Sequence, residues 1–506
     1  MKAAYIGLDV GTSGCKAAAV GVDGSIYASA RREYGFECPA AGVVELNPDT
    51  VWKAVCETLS ELGGMCSDME LRMLAVSSIG EAIVMLGKDD EILRNGITYL
   101  DQRGADTVPY ISEKMGERYL HKLTGVPNNP MYTLNRYLWL KKHQPRITEK
   151  TEKCLMFGDY ISYRLTGRRL IDPSSASRTM LFDAEHLVWS SDIGEVFGIP
   201  METFSEIGET GTIIGKILPE IAAKTGLPDR LKVVLGCHDQ CSALLGAGAV
   251  KPGDVMAGEG STESINLIIG KEHFNDQFYE RQLCFEPYIQ KGQYLVPVGQ
   301  LAHGTSIRWF VKEFWSELET IAVQAGISIY DMAERECAGD SGELYFLPYL
   351  SRVNSMDARN QALGAFLGVE LGSDRKQMYR ALLEGLCFES RISFELLKKA
   401  DLPVGRIVAS GGCSKSPLFM QMKADVLKAT IEILKNPDAG IIGLAMICAV
   451  ADGAYENYAE AAKVFVKKGE IYMPQRDYES RYRKYCHISQ TVKQLYKELN
   501  NECAHL

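Results

Sequence analysis

The chain has 506 residues, more than one hydrophobic core usually organises, so two domains of about 250 residues each are expected. Hydrophobic residues make up 46% and charged residues 24%, an ordinary globular composition, and the formal net charge is −10. That charge, with no Lys/Arg stripe to neutralise a phosphate backbone, argues against a nucleic-acid partner. No apolar run approaches the roughly 18 residues of a membrane span and no signal-peptide pattern follows Met1-Lys2, so a cytoplasmic protein without a membrane partner is expected.

In chain order, Ala3 to Val20 reads as a strand that breaks at Asp9-Val10-Gly11-Thr12-Ser13-Gly14 and resumes as a second strand. Glycines let backbone amides approach an anion and the hydroxyls add donors, so this turn can hold phosphate; an ordinary hairpin is the competing reading. Val51 to Leu62 carries apolar residues at helical spacing behind Pro48-Asp49-Thr50. Strands are expected at Leu74 to Ser78 and Ile83 to Leu86, and helices over Tyr132 to Lys142 and Tyr160 to Leu165. Leu231 to Leu235 reads as a short strand ending at Gly236-Cys237-His238-Asp239-Gln240, with a helix from Ala243 to Ala249. The turn Lys251-Pro252-Gly253-Asp254 marks the domain boundary, giving domains 1–250 and 251–475 and a helical tail 476–506.

The second half repeats the order. Asp254 to Ile269 is again strand, Gly258-Glu259-Gly260-Ser261-Thr262 turn, and strand. A long helical region follows from Ser306, then a helix from Tyr379 to Leu397. The strand Arg406 to Ser410 runs into Gly411-Gly412-Cys413-Ser414-Lys415-Ser416-Pro417, where Ser416 suits an N-cap and Pro417 the first helical position, with Leu418, Met422 and Val426 as the buried stripe. A small-residue helix over Ala439 to Gly453 is built for tight packing. The 14 cysteines scatter singly, as reduced core thiols do. Cys237 and Cys241 bracket His238-Asp239, but no second cluster with zinc spacing accompanies them.

These residues, taken together, resemble the FGGY carbohydrate kinases, the family of xylulokinase, glycerol kinase and gluconokinase. Ile6 to Ser13 looks like the first phosphate motif. Tyr99-Leu100-Asp101-Gln102-Arg103 is similar to the Trp-x-Asp-x-Arg segment, and Asp159-Tyr160 through Gly167 and Thr179 to Asp183 also fit. Gly236 to Gly248 followed by Lys251 to Asp254 resembles the segment with the catalytic aspartate, and Val408 to Leu427 the adenosine segment. The resemblance implies an α/β, two-domain actin/hexokinase-like ATPase fold with a duplicated ribonuclease H-like core, its active site in an interdomain cleft. It also implies transfer of the γ-phosphoryl group of MgATP to a hydroxyl of a small sugar or polyol. Dimers are common in the family.

Phosphoryl transfer needs charge neutralisation, alignment of the acceptor oxygen and exclusion of water. Asp239, after a strand end, suits the general base; its alternative is a helix N-cap. The resemblance implies Asp9 as the Mg²⁺ residue, and Gly11, Thr12 and Ser13 as phosphate donors. Lys16 is either added charge there or a solvated strand residue. Gly260 and Ser261 align with phosphate-binding residues, Gly411 and Gly412 with adenine-side glycines, and Ser416 with a nucleoside contact.

The sugar pocket departs from the relatives. Glu81 falls where glycerol kinase has a glutamate and xylulokinase a histidine, Gly80 where they have arginine or methionine, and Met131 where glycerol kinase has tyrosine. These changes disfavour glycerol; Gly80 opens room for a larger substrate, with Tyr99 at the aromatic place and Glu81 and Asp101 accepting hydroxyl hydrogen bonds. Both acids could instead be structural partners of Arg103. His238 and Gln240 also differ from the Gly-Asp-Asn common in xylulokinases. The expected acceptor is a ketopentose such as xylulose, with ribulose, fuculose, gluconate or erythritol as alternatives. An actin-like ATP-binding scaffold is the rival class, whereas a Rossmann dehydrogenase lacks its glycine spacing.

Overall fold

The computed structural model describes residues 2–337, 339–351, 362–436 and 438–503. The chain divides into two units: Met1–Pro252 with Ile268–Val296 and Asp438–Lys467, and Gly253–Leu267 with Pro297–Pro437 and Lys468–Leu506. The division therefore differs from a single cut at residue 250 with a separate tail from 476, because two later segments return to the first unit and the C-terminal helix Glu479–Cys503 belongs to the second.

The first unit is built on a six-stranded sheet of order Ile213–Lys216, Lys232–His238, Glu70–Ser78, Ala3–Val10, Gly14–Gly21, Ile26–Glu33. The three middle-to-left strands Lys232–His238, Glu70–Ser78 and Ala3–Val10 run parallel, and in register Asp9 lies beside Ser77, with Ser77 beside Cys237. Their carboxyl ends therefore open at one edge, the place where parallel α/β sheets bind ligands. The hairpin pairs Asp9 with Lys16. Core residues such as Ile6, Leu8, Leu74, Val76 and Val233 are fully or almost fully buried. The helix Pro48–Met65 covers this sheet; Asn47 caps it, its side chain accepting from Asp49 N and Thr50 N.

The second unit centres on the strands Val255–Glu259, Ile407–Ser410 and Ile431–Leu434 of a seven-stranded sheet. Val255–Glu259 pairs antiparallel with Glu263–Gly270 and parallel with Ile407–Ser410, repeating the hairpin-plus-parallel-strand plan of the first sheet. The helical region expected from Ser306 is three helices, Gly304–Phe314, Leu318–Ala325 and Ile329–Glu336, the second stopped by left-handed Gly326. In the helix Pro417–Leu427, Ser416 accepts from Phe419 N as the N-cap; Phe419, Met422 and Val426 are buried while Leu418 is half-exposed.

The small-residue helix Ala439–Ala451 packs closely in the first unit. A Cβ on Gly443 would come within 1.9 Å of Ser242 O, and one on Gly246 within 1.8 Å of Ala439 O. Only glycine allows the helix Asp239–Gly246 to lie this near, and that contact fixes the helix whose first residue is Asp239. No helix among the described residues is long and apolar enough to cross a membrane.

Candidate active site

At the carboxyl ends of the first sheet, the structure gathers Asp9, Thr12, Glu81, Tyr99 and Asp239. Asp9 Oδ1 accepts from Ser77 Oγ at 2.7 Å. Burial, then the nearby Asp239, pushes the Asp9 carboxyl up to about 6 despite the Ser77 bond. The turn after it is held by Gly11 N donating to Gly14 O at 2.9 Å and by Tyr34 OH donating to Gly11 O at 2.7 Å. Lys16 is ion-paired with Asp438, which precedes the helix Ala439–Ala451.

Asp239 opens its helix rather than capping it: the N-cap is His238 and no side chain caps the end. The helix begins four residues earlier than the expected Ala243 because the strand ends at His238. A carboxylate in the first turn also suits the helix dipole. Asp239 Oδ1 has no hydrogen-bond partner among the described residues, although His238 Nε2 lies 3.1 Å away, out of line for a bond. Burial raises the Asp239 carboxyl, His238 opposes this, and Glu81 and Glu286 add to it.

Glu81 is buried and adopts a left-handed backbone with φ of 63°, a conformation costing a non-glycine residue about 1–3 kcal/mol and characteristic of functional sites. Thr133 Oγ1 holds it by donating to Glu81 O at 2.7 Å. Its carboxylate is paired with Arg178, whose Nε donates at 2.7 Å. Arg178 lies over the Tyr132 ring, 5.1 Å from the centroid, and its Nη1 stands 3.4 Å from Glu286 Oε2. Glu286 Oε1 in turn meets His238 Nδ1 at 3.0 Å. Glu81, Arg178, Glu286, His238 and Asp239 thus form one continuous line of charges. Burial raises Glu286, but His238 and Arg178 outweigh it and hold that carboxylate below its usual range.

Two residues expected in the sugar pocket have close protein neighbours. Gly80 does not leave open room: a Cβ there would meet Arg178 Cγ at 3.0 Å and His238 Nε2 at 3.3 Å, so those side chains occupy the space. Asp101 is turned away from solvent, its oxygens taken by Arg103 N, Nε and Nη2 and by Val44 N at 2.6 to 2.9 Å, which leaves no acceptor capacity for a substrate hydroxyl. Asp101 is therefore the structural partner of Arg103, whereas Glu81 pairs with Arg178. Tyr99 is 38% exposed, and burial with the charges of Glu81 and Asp239 raises its phenol. Met131 is half-buried, two residues before Thr133.

His238, Cys241 and Glu286 lie within 4.8 Å of one another, a set that could hold a metal. Their ligand atoms are already bonded to each other, Cys241 Sγ donating to Glu286 Oε1 at 3.4 Å, and Arg178 supplies the cation. Of the Cys237 and Cys241 pair considered from sequence, Cys241 belongs to this set with the bracketed His238, and Cys237 is not among its members in the described residues.

In the second unit, the turn Gly260–Thr262 is fastened from behind. Buried Lys423 pairs with both Glu259 and Glu263, the residues flanking the turn, and His303 Nε2 meets Glu259 Oε2 at 2.8 Å. Ser261 O accepts from His303 N and Thr305 N at 3.1 and 3.2 Å, while Arg308 Nη2 donates to Ser261 Oγ at 3.1 Å. Gly411, with φ of 124°, packs on Glu259 O, and Gly412 faces open space. Ser416 spends its hydroxyl on the helix cap.

The comparisons agree with this arrangement. The N-terminal domain of the FGGY family of carbohydrate kinases matches residues 4–246 and its C-terminal domain residues 264–451. The chain belongs to this family of phosphotransferases with an alcohol acceptor. It is 28% identical over 499 residues to a xylulose kinase of Bacillus subtilis, covering 98% of this chain and 97% of that one. It is 26% identical over 511 residues to a gluconokinase of Bacillus licheniformis, covering 99% and 98%. A solved xylulose kinase structure from Rhodospirillum rubrum superposes with a TM-score of 0.87 at 25% identity, covering 97% of this chain and 99% of that one. The fold is the two-domain actin/hexokinase-like ATPase fold.

Proposed function

We propose that the protein transfers the γ-phosphoryl group of ATP to a hydroxyl of a ketopentose such as xylulose. The observation that carries the reading is Asp239, a carboxylate with one oxygen that accepts no hydrogen bond among the described residues, beside Glu81 and Tyr99 at the carboxyl ends of parallel strands. Asp239 aligns the acceptor hydroxyl; its O–H proton passes to the carboxylate as the new O–P bond forms and the bond from the γ-phosphorus to the bridging oxygen breaks, ADP leaving. Such a base typically contributes about 10²–10⁴-fold.

Asp9 fits Mg²⁺: a half-buried carboxylate among further acids, Asp239 and Asp438, with hard oxygen donors. Bound there, Mg²⁺ supplies neutralisation of phosphate charge. The amides and hydroxyls of Thr12 and Ser13 serve the phosphates, while Gly11, its amide bonded to Gly14 O, shapes the turn and gives close approach; Lys16 acts through Asp438. Within the second unit, Gly260, Ser261, Gly411 and Gly412 serve nucleotide binding, with Arg308 adding charge beside Ser261 and Ser416 capping the helix that follows. Met131 borders the acceptor through Tyr132 and Thr133.

A second reading, an aldonate acceptor such as gluconate, rests on Arg136. Its guanidinium is 1% exposed, and Nε, Nη1 and Nη2 have no hydrogen-bond partner among the described residues. Burial lowers it to about 10 against the charges of Glu81 and Asp101. A carboxylate would satisfy it in a bidentate pair. Coupled measurement of ADP release across ketoses, polyols and aldonates decides: xylulose turnover unaffected by Arg136→Met favours the ketose, and aldonate turnover lost in that variant favours the second reading. No sugar-dependent ADP release from the parent protein would refute both.

A further inference from the structure

Resting on the phosphoryl-transfer reading, we propose that His238 is a positioning residue that clamps the Asp239 carboxylate, and that Glu286 and Arg178 tie this clamp to Glu81. His238 is 6% exposed and both its ring nitrogens face carboxylates, Glu286 Oε1 at 3.0 Å and Asp239 Oδ1 at 3.1 Å. The Glu286 contact is a hydrogen bond and the Asp239 contact an ion-pair distance without bond alignment; a neutral imidazole would leave a lone pair at one of these nitrogens, whereas the imidazolium puts positive charge between both carboxylates. Burial pulls the imidazole down, but Glu286 and then Asp239 outweigh it and lift it to about 9, with Arg178 opposing.

The backbone of His238 is also held. His238 N donates to Ser174 Oγ at 3.0 Å, and Ser174 belongs to the helix Pro173–Ser177, which Asp172 caps and which delivers Arg178. Gly80 clears the space next to His238 Nε2. His238 and the Gln240 backbone N–H favour the ionised Asp239 and Glu81 and Glu286 oppose it, while Asp239 itself acts on Asp9, Tyr99 and Cys237. Among the described residues, His238 is the cation ion-paired with Asp239. A base among that many acids needs such a partner to remain ionised near neutral pH.

The clamp couples the two acids that flank the acceptor: a shift of Glu81 is carried through Arg178, Glu286 and His238 to Asp239.

The test is the pH profile of sugar-dependent ADP release for the parent, His238→Gln and His238→Gly, using whichever acceptor in the panel the parent turns over. Loss of the imidazolium leaves Asp239 harder to ionise, so in His238→Gln the acidic limb of kcat/KM moves up by about one pH unit or more and kcat falls, with ATP affinity unchanged. Imidazole added to His238→Gly returns part of the rate and moves the limb back. In the unmodified protein, ¹⁵N ring resonances of His238 at pH 7.5 report both nitrogens protonated, a readout that needs neither turnover nor a folded variant. A His238→Gln profile superimposed on the parent's, or a singly protonated ring, overturns the clamp and leaves the kinase reading intact. A parent with no sugar-dependent ADP release overturns the kinase reading and the clamp with it.

Discussion

Arg178 stands where a side chain at position 80 would be, its Cγ 3.0 Å from a Cβ built on Gly80. Gly80→Ala must push Arg178 or His238 aside, an overpacking that costs about 1–3 kcal/mol. The expected result is a lowered kcat/KM for the sugar with unchanged ATP affinity, read by steady-state kinetics and nucleotide titration. Unaltered kinetics would show that the Arg178 line has slack.

Lys423 is the buried cation between Glu259 and Glu263. Removing it in Lys423→Met takes the shared cation from two buried carboxylates, leaving Glu259 with His303 and Glu263 with its Gln300 and Ser390 donors, a loss of about 3–5 kcal/mol in unfolding free energy read by urea denaturation at pH 7. Burial would raise Glu259, yet Lys423 and His303 depress it to about 2. A depressed carboxyl gives stability that is present above its unfolded value, about 4.3, and fades as the pH falls towards 2. The gap between parent and Lys423→Met therefore narrows in acid; a gap constant from pH 7 to pH 3 would contradict the pairing.

Asp159 has the opposite sign. Burial lifts it to about 7 despite the bond from Ser205 Oγ, and its Oδ1 has no partner among the described residues. Its raised pKa means the unfolded chain ionises first, so stability declines from about pH 4 to pH 7. Asp159→Asn removes that decline: the variant gains thermal stability over the parent at pH 8 compared with pH 4. Parallel melting curves at the two pH values would refute this.

Much of this architecture was legible in the sequence, because its signals are local. The twin hairpins, the Ser416-Pro417 helix start and the Asp239 strand end each depend on neighbouring residues, and they lie where expected within a few positions. Arg178 and Glu286 were not legible. Glu286 sits past the apparent boundary at Pro252, and nothing in its own stretch shows that Ile268–Val296 folds back onto the first unit. Asp101 and Glu81 both looked like acceptors, since a sequence does not reveal which arginine reaches which acid. The one signal that could have found the clamp was His238 itself, a bulky titratable residue immediately before the base and paired with a glycine at position 80 that makes room for it.

Asp239 is the base on which the proposed transfer depends, and Asp239→Asn tests that role most directly. The amide keeps the size of the side chain but cannot take the proton. Sugar-dependent ADP release should fall by about 10²–10⁴-fold while ATP binding by calorimetry and the melting temperature remain close to those of the parent. Turnover within a few-fold of the parent, in a variant that still binds ATP, would contradict it.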